Sequence, residues 1–137
     1  MVTAPTATDF AWAAGILDGE GCIHISKRVR NGHYRYNLIL LVGNTSEPML
    51  QRLQEVLGGT VGKETWHRHS KRPFRNWLAY GKDAQVMLAK IEPFLVAKRA
   101  HAWVAIRFPI GRSRSRPQPL FLFGQAVGWM VMRRLVT

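Results

Sequence analysis

Residues 13–21 read Ala13-Ala14-Gly15-Ile16-Leu17-Asp18-Gly19-Glu20-Gly21, and the stretch occurs once. It reads as the end of a helix running into a carboxylate. Ala11, Gly15 and Gly19 recur at a spacing of four, so they share one helix face. With almost no side chain there, a second backbone can approach closely. Ile16 and Leu17 face elsewhere and can fill a core. Asp18 and Glu20 end the helix, and Gly21 breaks it. Two acids at a helix C-terminus oppose its dipole, at about 0.3–1 kcal/mol each. A divalent cation is the natural offset, because it takes hard oxygen ligands.

The composition narrows the partner. A chain of 137 residues with 47 % hydrophobic content is long enough for one domain with a sizeable core, and it is no disordered basic tail. It carries 20 Lys+Arg against 8 Asp+Glu, a formal charge of +12. That excess points to a polyanion, nucleic acid before membrane. The single cysteine, Cys22, excludes an intramolecular disulfide framework and a multi-cysteine zinc site. No signal-peptide pattern opens the chain, and the longest apolar run, Leu120 to Met132, is interrupted by Gln125 and too short to span a bilayer. The expectation is an intracellular protein that is not secreted, in the cytoplasm or nucleoid or in an organelle matrix, with no membrane partner.

Along the chain, Thr8 or Asp9 is expected to cap the first helix, which runs to about Asp18. From Cys22 to Arg28 the residues alternate: Ile23 and Ile25 point one way, His24, Ser26 and Arg28 the other. Asn31-Gly32 is a hairpin turn signal. The second strand, His33 to Gly43, sets Tyr34, Tyr36, Leu38, Leu40 and Val42 toward the core and Arg35 and Asn37 away from it. Ser46 and Pro48 open a helix with an apolar stripe, ended by Gly58-Gly59. Strands over 60–67 and 74–80 follow, then a helix capped by Asp83. Another helix opens at Pro93, with Phe94, Leu95, Ala97, His101, Val104, Ala105 and Phe108 as candidates for its buried side. A basic loop with Arg112, Arg114 and Arg116 leads to a last helix.

The order helix, hairpin, helix, hairpin, helices is an α+β layout, with helices on one face of an antiparallel sheet. The other face is expected to present His24, Ser26, Arg28, Arg30, Arg35, Asn37, Lys63, Thr65, His67, Arg75 and Trp77. Arg and Lys read guanine, Asn reads adenine, and a β-ribbon fits the major groove. The residues therefore predict a DNA-binding surface, against the bland alternative of a solvated sheet face.

The motif at 13–21 resembles that of the LAGLIDADG homing endonucleases, with Ala13 where the family usually has leucine and Glu20 where it ends in aspartate. The segments Val42-Gly-Asn-Thr-Ser-Glu-Pro-Met-Leu50 and Ile91-Glu-Pro-Phe-Leu-Val-Ala-Lys-Arg99 extend the resemblance from about Phe10 to Phe108. It implies an αββαββα fold whose four-stranded antiparallel sheet forms a saddle covered by helices on one face. It further implies one domain over 1–137, with its core at about 8–110 and the basic loop and C-terminal helix at 111–137. Glu20, with the Gly19 backbone, would hold Mg²⁺, for which Mn²⁺ may substitute. Asn44 falls where a polar side chain orients active-site water, and Lys98 where a basic side chain sits near the scissile phosphate. Asn44 has the alternative of closing the turn or capping the next helix, and Lys98 that of a solvated helix lysine.

One motif cannot build a two-motif centre, so a homodimer is expected, packed through Ala11, Gly15, Asp18 and Gly19. The implied activity is a metal-dependent staggered double-strand break in double-stranded DNA at a long pseudo-palindromic site. The alternative is a non-catalytic DNA- or RNA-binding protein of the same fold, an intron maturase or regulator.

Overall fold

The computed structural model describes residues 3–66, 69 and 71–112, with the side chains of Arg30 and Arg112 excepted. Helix α1 spans Ala7–Glu20 and leads without a loop into β1, Gly21–Arg30. Strand β2 is His33–Asn44, α2 Glu47–Leu57, β3 Thr60–Val61, β4 Arg75–Tyr80 and α3 Gly81–Ile91. The expected αββαββα order is therefore present. A 3-10 turn at Glu92–Phe94, helix α4 at Arg99–Arg107 and a short β5 at Gly111–Arg112 follow. The strand order is β1-β2-β4-β3, all antiparallel, and β5 pairs with the start of β2.

Helix α1 begins earlier than Thr8 or Asp9. Thr6 is the cap: its hydroxyl accepts the Asp9 N–H, and the Asp9 carboxylate accepts the Thr6 N–H at 2.9 Å. This reciprocal pair satisfies two donors that the first turn leaves open. At the other end, Gly21 has an extended backbone, so its role is close packing rather than left-handed freedom. A Cβ on Gly21 would sit 2.3 Å from Leu17 Cδ1.

The hairpin of β1 and β2 runs in register from Gly21↔Val42 to Arg30↔His33. Asn31 and Gly32 both take positive φ, as a tight hairpin of this twist requires. Ile23, Ile25, Tyr36, Leu38, Leu40 and Val42 turn to one face and are buried under the helices. Leu50, Leu53, Val56 and Leu57 of α2, with Ala84, Met87, Leu88 and Ile91 of α3, meet them there. Ala13, Ala14 and Leu17 of α1 and Ala102, Val104 and Ala105 of α4 complete the core.

The second hairpin departs from expectation. Its first strand keeps only Thr60–Val61, with an isolated bridge from Thr65 to Phe74. On β4 the faces are the reverse of those predicted. Register pairs Val42 with Trp77, Leu40 with Ala79 and Asn44 with Arg75, so Arg75 and Trp77 belong to the helix side. Trp77 is fully buried, and its indole N–H donates to the Gly58 carbonyl at 2.8 Å. Gly58 and Gly59, both at positive φ, bring the chain down onto that ring. A Cβ on Gly59 would lie 2.8 Å from the Trp77 indole nitrogen. Arg75 instead pairs with Glu64 at 3.2 Å and Glu47 at 3.6 Å.

Two helix starts also move. Helix α3 begins at Gly81, which places Asp83 inside its first turn. Pro93 opens only the 3-10 turn, and α4 starts after Lys98. Phe94 and Ala97 are consequently exposed, while Leu95 is buried. Arg114, Arg116 and the last expected helix lie outside the described residues.

Candidate active site

The last turn of α1 gathers three of the predicted site residues. Glu20 is exposed at the helix terminus. Asn44, at the end of β2, donates its amide to the Glu20 carboxylate through Nδ2, while its Oδ1 accepts the Ser46 N–H at 2.7 Å. The two readings of Asn44 coexist: one end of its amide closes the turn before α2, the other fixes a carboxylate. Lys98 is the cap residue of α4, and its ammonium donates to the Asp18 carbonyl at 2.6 Å. It is not a lysine on a solvated helix face.

That contact answers an electrostatic problem set by the sequence. The last turn of α1 contains no basic residue of its own. A cation on one of its carbonyls satisfies an acceptor that the helix leaves unpaired and sits at the negative end of the dipole. Asp18 is turned to the segment before α4, accepting the N–H groups of Val96 and Lys98.

Among the described residues, no group of three or more His, Cys, Asp or Glu side chains is gathered to hold a metal. One chain offers oxygens from a single turn, the Glu20 carboxylate with the carbonyl of Gly19. This donor set suits a hard cation such as Mg²⁺, which keeps several waters and shares phosphate oxygens with its substrate.

Small residues mark the exposed side of α1. Among the described residues, Ala11, Gly15 and Gly19 are exposed, and a Cβ added at Gly15 or Gly19 would meet nothing within 4 Å.

On the sheet face away from the helices, Ser26 lies opposite Asn37, Arg28 opposite Arg35, and His24 opposite Ile39. Arg28 and Arg35 are exposed. Arg30 pairs with His33 in the ladder. Lys63 and Thr65 are exposed beyond β3, and His67 lies outside the described residues. Sequence reasoning missed a division of this face. Toward its α1 end it carries Cys22, Leu41, Leu78 and Tyr80 rather than polar side chains. Burial raises the thiol pKa of Cys22, an effect opposed by the charge of Lys98.

No family profile matches the chain. It is similar to DNA endonuclease I-CvuI from Chlorella vulgaris, 31 % identical over 104 residues that take in 72 % of this chain and 62 % of that protein. A crystal structure of homing endonuclease I-CvuI in complex with its target superposes with a TM-score of 0.62 at 30 % identity, covering 74 % of this chain and 65 % of that one. The LAGLIDADG meganuclease I-CpaMI bound to uncleaved DNA gives a TM-score of 0.54 at 19 % identity over 72 % of this chain and 34 % of that one, a likeness of fold alone. Sheet, helices and the motif on α1 define a LAGLIDADG fold. In sequence and fold the chain is similar to homing endonuclease I-CvuI, and it spans about 62 % of the length of that relative. Among the described residues, no helix is long and apolar enough to cross a membrane.

Proposed function

We propose that this chain is a site-specific DNA endonuclease that works as a homodimer and makes a metal-dependent staggered break. The observation that carries the reading is the convergence of Glu20, Asn44 and Lys98 on the last turn of α1 from three separate parts of the chain. Two copies packed through Ala11, Gly15 and Gly19 bring two such turns together, one for each DNA strand. The exposed glycines support this: each costs about 1 kcal/mol against alanine inside a helix, and among the described residues nothing packs where a side chain would go. I-CvuI, named as a DNA endonuclease, supports the reaction class.

Glu20, with the Gly19 carbonyl, would hold Mg²⁺, with Mn²⁺ as a substitute. The chemistry such an ion would supply there is Lewis-acid activation of the phosphate and of water. Asn44 fixes the carboxylate that receives the ion. Lys98 offsets the negative charge that grows on the phosphate. His24, Ser26, Arg28, Arg30, Arg35 and Asn37 read base edges from the sheet, and Lys63, Thr65 and His67 extend the contact. The partner is double-stranded DNA with a long pseudo-palindromic site, met inside the cell, and 1–137 acts as one domain.

The test starts from duplexes selected by the wild-type chain out of a randomised library in Ca²⁺. Binding and cleavage are then measured in Mg²⁺, Ca²⁺ and chelator. Glu20→Gln keeps the shape and removes the anionic ligand, so cleavage collapses while binding without metal persists or rises. A Glu20→Gln chain that cuts as fast as wild type rejects this assignment. Binding should also fall steeply with salt, with a log–log slope of magnitude above about 5 for the dimer.

A further inference from the structure

Both carboxylate oxygens of Asp18 are already engaged. Its Oδ2 accepts the Val96 N–H at 2.7 Å and its Oδ1 the Lys98 N–H at 2.9 Å. The Lys98 ammonium returns to the Asp18 carbonyl at 2.6 Å. These bonds cross about 80 residues of sequence and form a ring between the end of α1 and the turn before α4. Val96 is 86 % exposed, so little else covers that turn. On its far side, Lys98 gives its carbonyl to the Ala102 N–H at 2.9 Å. Its backbone is thus fixed from α1 and from α4, and the side chain extends from a set point back to the last turn of α1.

We infer that Asp18 is a positioning residue, which sets where the Lys98 ammonium stands relative to the Glu20 turn. The inference rests on the endonuclease reading, in which Lys98 acts at the phosphate. A carboxylate suits the task because each oxygen takes one backbone N–H. Asparagine offers one acceptor oxygen and an NH₂ group that repels the other donor. Glutamate keeps the charge but displaces it by a methylene.

The experiment is single-turnover cleavage of the selected duplex in Mg²⁺, with binding in Ca²⁺, for wild type, Asp18→Asn, Asp18→Glu, Lys98→Ala and Asp18→Asn/Lys98→Ala. Misplacing a catalytic group by about 1 Å costs on the order of 10²-fold, and that loss is expected for both Asp18 variants, with binding unchanged. In the Lys98→Ala background, Asp18→Asn should add nothing, since no ammonium remains to be placed. Losses that multiply in the double variant, or an Asp18→Glu chain that cuts like wild type, overturn the positioning role alone. A wild type that binds its selected duplex and leaves it intact overturns the endonuclease reading and this role together. Hydrogen exchange on the wild type covers variants that fold poorly. The Val96 and Lys98 amides should be protected, and free exchange at both overturns the inference.

Discussion

Ala13, Ala14 and Leu17 on one side of α1 are closed off by neighbouring elements, whereas Ala11, Gly15 and Gly19 on the other are exposed among the described residues. Both sides are built largely from small residues. On the closed side, smallness serves the chain itself: Ala13 and Ala14 are fully buried against neighbouring elements, and Leu17 fits over Gly21 only because Gly21 has no Cβ. On the open side, the same property serves no packing among the described residues. Glycine there weakens the helix, and the missing side chains leave room for another backbone. Under the proposed homodimer, one helix carries a surface for folding and a surface for association, and substitutions should separate them.

The largest effect belongs to the closed side. Leu17→Ala should lower unfolding free energy by about 2–5 kcal/mol in a urea titration, because it empties a site whose walls cannot collapse onto it. A loss well below that range would mean that this side is not sealed as described. Gly15→Leu should act in the opposite sense on the two properties. Chain stability should hold or rise by up to about 1 kcal/mol, since leucine is the better helix former and its Cβ meets nothing. Association, followed by sedimentation, should weaken by about 1–3 kcal/mol through overpacking. Unchanged self-association in Gly15→Leu would end the distinction between the two sides.

A smaller effect tests the end that both sides share. Thr6→Ala removes the side-chain cap of α1 and should cost about 1 kcal/mol in the same titration. The smallest is a pH effect at Asp9. Its carboxyl is held below the ordinary value of 3.8, first by the Thr6 backbone N–H and also by the Thr6 hydroxyl and Arg52. A depressed carboxylate stabilises above its unfolded value, and that contribution is lost as pH falls through the folded one. Melting temperature should therefore drop more steeply below about pH 4 in the wild type than in Asp9→Asn, and parallel profiles would contradict the linkage.

The first hairpin was legible because each of its signals is local. Ile23 and Ile25 alternate with polar neighbours, and Asn31-Gly32 fixes the register, so the faces of β1 and β2 follow. Strand β4 was not, because Trp77, Leu78, Ala79 and Tyr80 offer apolar groups to both sides. With no alternation to set the phase, a one-residue slip reversed every side chain, Arg75 and Trp77 included. What sets the phase is the Gly58 carbonyl that takes the indole N–H, a partner on a different element. The same limit hid the Asp18 ring, whose acceptors and donors stand about 80 residues apart. Lys98 could be placed near the centre by resemblance; its anchoring could not. The apolar end of the outer sheet face went unseen because Ile39 and Leu41 read as continuations of the core strand around them.

The small set of oxygens on the α1 turn has a consequence for dose under the proposed homodimer. Where most copies are apart, the number of paired turns would follow the square of chain concentration, so halving the supply would quarter their number.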